Sequence, residues 1–228
     1  MQALISHTTT PVIVAAISEK IIENSARAVK LGADAIEIRL DMMNQSENMH
    51  ETLSQVKESF NIPIIITNRR ADEGGNWRAS EYERIKILTR LLPDADAVDI
   101  ELRAPLRDNV ISEARRLGKT IIVSHHDFKR TPPPEELTRI LEEEQSAGGN
   151  ISKLAVMPQT PQDVLNLLQA SLNATFPVCI IAMGELGRHT RAIASLYGSK
   201  LTYASISKST APGQLRVDKV REIMKTIL

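Results

Sequence analysis

A chain of 228 residues, 42% of them hydrophobic, can bury one large core, which suits a single α/β barrel or two small domains. Lysine plus arginine equals aspartate plus glutamate at 28 each, with no basic run, so no electrostatic footprint for nucleic acid or a membrane surface is present. The single cysteine, Cys179, excludes an intrachain disulfide and a cysteine-rich zinc site, and no apolar span approaches the roughly 18 residues of a transmembrane helix, so a small ligand and a cytoplasmic location are expected.

Short β-branched runs alternate with longer amphipathic segments along the whole chain. In order, the predicted strands are "VIVAAI" (12–17), "AIEIRL" (35–40), "PIIIT" (63–67), "AVDIEL" (97–102), "TIIVSH" (120–125), "KLAVM" (153–157), "VCIIAM" (178–183) and "LTYASI" (201–206). Helical patterns lie between them, among them "SEYERIKILTRLL", "APLRDNVISEARRLG", "PPEELTRILEEEQSAGG" and "TPQDVLNLLQASL", and a last one, "VDKVREIMKTIL", closes the chain. Several open on Ser, Thr or Pro and close on Gly, as helix caps do. Strand then helix, repeated without a linker, predicts one α/β domain over 1–228, a (β/α)8 TIM barrel. A doubly wound open sheet competes, but no Gly-rich dinucleotide fingerprint or P-loop follows any strand.

In such a barrel, chemistry belongs at the C-terminal ends of the strands. Along strand two, Ile36, Ile38 and Leu40 alternate with Glu37, Arg39 and Asp41; along strand four, Val98, Ile100 and Leu102 alternate with Asp99, Glu101 and Arg103. On an exposed sheet this is a solvated face. Helices cover the outside of a parallel barrel, so here the charged faces are expected to point inward and to be paired. After strand three, "TNRRADEGGNW" carries Arg69, Arg70, Asp72 and Glu73 beside the flexible pair Gly74 and Gly75, a composition that by itself is more often plain surface. Strand five runs into "VSHHDF"; adjacent strand residues point opposite ways, so His125 and His126 cannot easily share a metal ion, and acid–base work by one of them is expected. In "ISKLAVMP", Lys153 heads an apolar run, where an ammonium needs a carboxylate partner, a route to water, or a neutral amine form that makes it a nucleophile.

The pieces "EIRLD", "RADEGG", "SHHDF", "KLAVMP" and "STAPGQL", in this order, resemble the type I 3-dehydroquinate dehydratases, which remove water from 3-dehydroquinate in the shikimate pathway. The resemblance spans nearly the whole chain. It implies a Schiff base on Lys153, with no metal or cofactor, acid–base catalysis by His126 rather than His125, and Glu73 flanking that histidine. It also implies substrate contacts from Glu37, Arg39, Arg69, Arg191, Thr210 and Gln214, a closing segment at "SKSTAPGQL", and a homodimer. Where many relatives carry serine in strand one, this chain reads as Ala15. The competing enzyme is a class I aldolase-type Schiff-base barrel, which normally handles sugar phosphates; no Gly-rich phosphate nest follows strands seven and eight. The competing non-enzyme is a silent barrel that only binds a carboxylate, which the retained lysine and histidine argue against.

Overall fold

The computed structural model describes residues 11–43, 48–207 and 211–227. Eight parallel strands follow one another around the sheet: β1 Val12–Ile17, β2 Ala35–Arg39, β3 Ile64–Thr67, β4 Ala97–Glu101, β5 Thr120–Asp127, β6 Ile151–Val156, β7 Val178–Ala182 and β8 Leu201–Ser205. β8 returns to pair with β1. The remaining seam, between β7 and β8, is joined by a bridge from Val178 to Ser199, a bond from the Lys200 N–H to the Val178 carbonyl at 2.7 Å, and one from the Ile180 N–H to Ser199 Oγ at 3.2 Å.

Helices α1 Ile21–Leu31, α2 Met49–Phe60, α3 Glu81–Leu91, α4 Arg107–Arg116, α5 Pro134–Ser146, α6 Pro161–Asn173 and α9 Val217–Ile227 accompany the strands. Ser80 and Thr160 start α3 and α6 with reciprocal capping boxes, as their sequence positions predict. The unit after β7 departs from the pattern: two four-residue helices, α7 Gly184–Gly187 and α8 Thr190–Ile193, and a 3₁₀ turn, Ala194–Tyr197, replace one long helix.

Strand alternation divides the core in two. Ile13, Ile36, Ile38, Ile64, Ile66, Val98 and Ile100 pack outward against the helices. Val12, Val14, Ala35, Ile65, Ala97, Ile122 and Ile151 fill the N-terminal end of the barrel interior. Above that apolar floor the inward positions turn polar: Glu37, Arg39, Thr67, Asp99, Glu101, Ser124 and Lys153 are all buried.

Several expectations need correction. β6 begins two residues earlier than predicted, so Lys153 is its third residue and lies inside the barrel rather than at the head of a strand. Arg103 falls beyond the end of β4, where its half-exposed side chain pairs with Glu143 instead of pointing inward. Ala15 belongs to the outward set and packs under the helices, so it cannot be a substrate contact; alternation turns Ala16 inward instead. Gly74 and Gly75 are close-packing positions rather than a flexible pair. A Cβ on Gly74, whose φ is 79°, would lie 2.4 Å from the Phe128 ring, and one on Gly75 would lie 2.0 Å from the Arg69 carbonyl oxygen.

Candidate active site

At the C-terminal end of the barrel a cleft of about 500 Å³, partly open to solvent, is lined by Glu37, Arg39, Arg69, Glu73, His126, Lys153, Arg191 and Gln214. Six elements and loops of the fold thus converge on one space, and of the expected site residues only Thr210 is missing from the lining, because it lies outside the described residues, as do His7 and Lys208. Phe128, Ile181, Met183 and Tyr203 supply apolar wall. Trp77 is not part of it: its indole N–H donates to the Ser80 carbonyl at 3.1 Å and ties the loop after β3 to the start of α3. His50 pairs with Asp94 away from the cleft, and His189 is exposed.

Of the three options open to a buried ammonium, Lys153 takes a carboxylate partner. Its ammonium donates to Asp99 Oδ2 at 2.7 Å, while Glu37 stands 3.9 Å away. Asp99 also accepts from Arg69 Nη2 at 2.7 Å and from Ser124 Oγ at 2.6 Å. Burial opposes its ionisation, yet Arg69 and Lys153 hold its carboxyl well below the usual carboxylate range. The pairing continues outward, from Arg69 Nη1 to Glu101 at 3.2 Å, from Glu101 to Arg84 at 2.8 Å, and from Arg84 to Glu81 at 2.7 Å. Alternating charges therefore run from helix α3 to the lysine. Each buried ion has a partner on both sides, which is the condition under which buried charge is tolerated.

Arg39 is held by Asp41 through two bonds, at 2.9 and 2.8 Å, and Asp41 also accepts the backbone N–H groups of Arg69 and Asn76. Glu37 accepts the Thr67 hydroxyl at 2.8 Å. Arg191, from α8, bridges the seam where β7 and β8 part: it donates to the carbonyls of Tyr203 at 3.4 Å and Pro212 at 3.2 Å. No carboxylate among the described residues lies within ion-pair distance of it, its Nε has no partner, and burial pushes its guanidinium down to about 10. An unpaired buried cation facing a cleft fits an anionic ligand group.

Glu73 reaches His126 twice through Oε2, at 2.9 Å from the backbone N–H and 3.0 Å from ring Nδ1. Burial, reinforced by Arg69 and Lys153, pushes the His126 imidazole well below its ordinary value. Burial also pushes the Glu73 carboxyl up to about 8, against the pull of Arg69. The His126 shift favours a neutral imidazole, and in the tautomer whose Nδ1–H donates to Glu73 the other ring nitrogen, Nε2, is the proton acceptor. His125, the alternative, is absent from the cleft lining. Among the described residues no cluster of His, Cys, Asp and Glu is placed to hold a metal ion.

The Glu73 shift has a testable sign. A carboxyl with a folded value near 8 and an ordinary value of 4.5 favours folding while protonated, so that contribution is full below 4.5 and is lost as pH rises through 8. Glu73→Gln cannot ionise. Relative to the parent it is expected to gain stability between those limits, by up to roughly 1.4 kcal/mol per pH unit, and thermal melts from pH 4 to 9 read the difference. A Tm difference that does not change with pH would contradict the shift.

Fold and site together define a (β/α)8-barrel enzyme built around a buried amine, a histidine–carboxylate pair and arginines suited to an anionic substrate. A family model described as type I 3-dehydroquinase matches residues 10–228, and the chain belongs to that family. It is 50% identical over 227 residues to a 3-dehydroquinate dehydratase of Methanosarcina barkeri, covering 94% of each chain. Among solved structures it resembles the 3-dehydroquinate dehydratase of Geobacillus kaustophilus, with TM-score 0.90, 31% identity, and coverage of 96% of this chain and 91% of that one. It also resembles the Clostridium difficile type I enzyme solved with covalently modified comenic acid, with TM-score 0.87, 29% identity, and coverage of 95% and 92%.

Proposed function

We propose that this chain catalyses the syn elimination of water from 3-dehydroquinate to 3-dehydroshikimate, through an imine on Lys153. The observation that carries the reading is one cleft holding Lys153 on Asp99 and His126 on Glu73, with the unpaired Arg191 on its wall. The free amine of Lys153 attacks the C3 ketone, and loss of water from the carbinolamine gives an iminium. That cation draws electrons from C2, whose proton passes to His126 Nε2. The enamine then expels the C1 hydroxyl, which leaves as water with the proton returned by His126. Hydrolysis releases the conjugated enone and the lysine. One histidine serving both transfers works on one face of the ring, which makes the elimination syn. Asp99 and Arg69 fix the lysine, and Glu37 and Arg39 orient ring hydroxyls.

Arg191, with Gln214 and Thr210, would receive the substrate carboxylate. Appearance of the enone chromophore on adding 3-dehydroquinate tests the reaction. Arg191→Met is expected to raise KM by about 10- to 100-fold, the worth of a hydrogen bond to a charged group, with only a small drop in Tm, since the cation removed has no carboxylate partner among the described residues and gives up only its bonds to the Tyr203 and Pro212 carbonyls. An unchanged KM would remove Arg191 from carboxylate binding.

No helix among the described residues is long and apolar enough to cross a membrane. The family resemblance supports a homodimer in the cytoplasm. Leu165 and Leu172, seven residues apart on α6, are both more than half exposed, beside the exposed Leu196 of the adjacent turn, and offer an apolar face for it. Sedimentation at the monomer mass over the working concentration range would refute the dimer.

A further inference from the structure

Tyr203 is the third residue of β8 and points into the barrel with its ring beneath the cleft. The Nζ of Lys153 stands over the ring face, 3.9 Å from its centroid. The hydroxyl is buried and has no hydrogen-bond partner among the described residues, and burial, with Glu37 and Asp99 nearby, pushes its titration well above the ordinary range. A buried hydroxyl without a partner costs stability and gives nothing back. The face of the ring, by contrast, touches the atom on which the proposed reaction turns.

We propose that the ring face of Tyr203 stabilises positive charge on Nζ during catalysis, and that its hydroxyl takes no part. The idea rests on the Schiff-base reading of Lys153. As an ammonium, Nζ has three hydrogens, one of which Asp99 accepts at 2.7 Å. As an iminium it keeps one, and its geometry becomes planar, so a directional partner is easily misaligned. Attraction to the ring quadrupole needs no particular N–H and survives that change. The neutral carbinolamine before the iminium and the neutral enamine after it gain nothing from the ring. The ring therefore favours the two cationic states, the iminium from which C2 is deprotonated and the unsaturated iminium that departure of the C1 hydroxyl leaves.

The test compares Tyr203→Phe, which keeps the ring, with Tyr203→Leu, which does not, by kcat and by the borohydride-trapped fraction of Lys153 at saturating substrate. Phe is expected to match the parent within about twofold, and Leu to lose about 10- to 30-fold in kcat with a smaller trapped fraction, the scale of a desolvated cation–π contact. Because Leu also alters packing, phenylalanines with one to three ring fluorines placed at 203 provide a second series of nearly constant shape, in which log kcat should fall with each fluorine. Loss of activity in Phe equal to that in Leu would assign the role to the hydroxyl and overturn the proposal. So would a flat fluorine series. Absence of any trapped adduct in the parent would instead refute the Schiff-base reading, which keeps the two failures apart.

Discussion

Lys153→Ala is expected to abolish both turnover and the borohydride-trapped adduct, with kcat falling by at least about 10⁴-fold because the covalent route itself is lost. The protein should still fold. Asp99 retains Arg69 at 2.7 Å and Ser124 at 2.6 Å, so removing the lysine does not leave that carboxylate alone. What is lost is one of its two cations and some packing over Tyr203. The measurement is enone formation together with intact mass after reduction in the presence of 3-dehydroquinate. A mass increment on the parent that maps to residue 153, and none on the variant, is the expected pair. Turnover within tenfold of the parent would mean that the amine is only a structural ion-pair partner of Asp99. The aldolase-type alternative predicts a different failure: an adduct from phosphorylated ketoses and none from 3-dehydroquinate.

Much of the fold was legible because strands buried on both sides must be short β-branched runs, and these recur eight times. The inward charges were legible by the same alternation, since only one face of "AIEIRL" can meet the helices. Pairing was not. Asp99 and Glu101 are equivalent in the pattern, and which of them reaches Lys153 depends on their height in the barrel and on Arg69 crossing from the loop after β3. Arg84 in "SEYERIKILTRLL" reads as one more solvated helix charge, yet it is fully buried and closes the pairing behind Glu101. In the run Glu142, Glu143, Glu144 the last is wholly buried, and burial holds its carboxyl well above the usual range. Both positions are decided by helix–barrel packing, a non-local term that local charge patterning does not carry. Tyr203 was counted as strand; only the approach of Lys153 across the barrel gives its ring a role.

His126→Ala should separate the steps that Lys153→Ala removes together. The ketone can still condense with the amine, because Asp99, Glu37 and the ring of Tyr203, not the imidazole, stand against Nζ. Removal of the C2 proton and protonation of the leaving hydroxyl then lack their group, and a positioned acid–base residue is worth about 10²- to 10⁴-fold. The expected result is a loss of kcat on that scale with a trapped Lys153 adduct at least as abundant as in the parent, since the imine forms and then waits. His125→Ala, outside the cleft lining, is expected to stay within about threefold of the parent, as a change away from the reacting groups does. An equal loss in both histidine variants would make the pair structural. A His126→Ala protein with neither turnover nor adduct would carry the histidine back into imine formation, because its proton transfer would then be needed before C2 is ever activated. The division of labour therefore depends on the order in which the two losses appear: adduct without product places the histidine after the lysine in the reaction, on the one ring nitrogen that Glu73 leaves open.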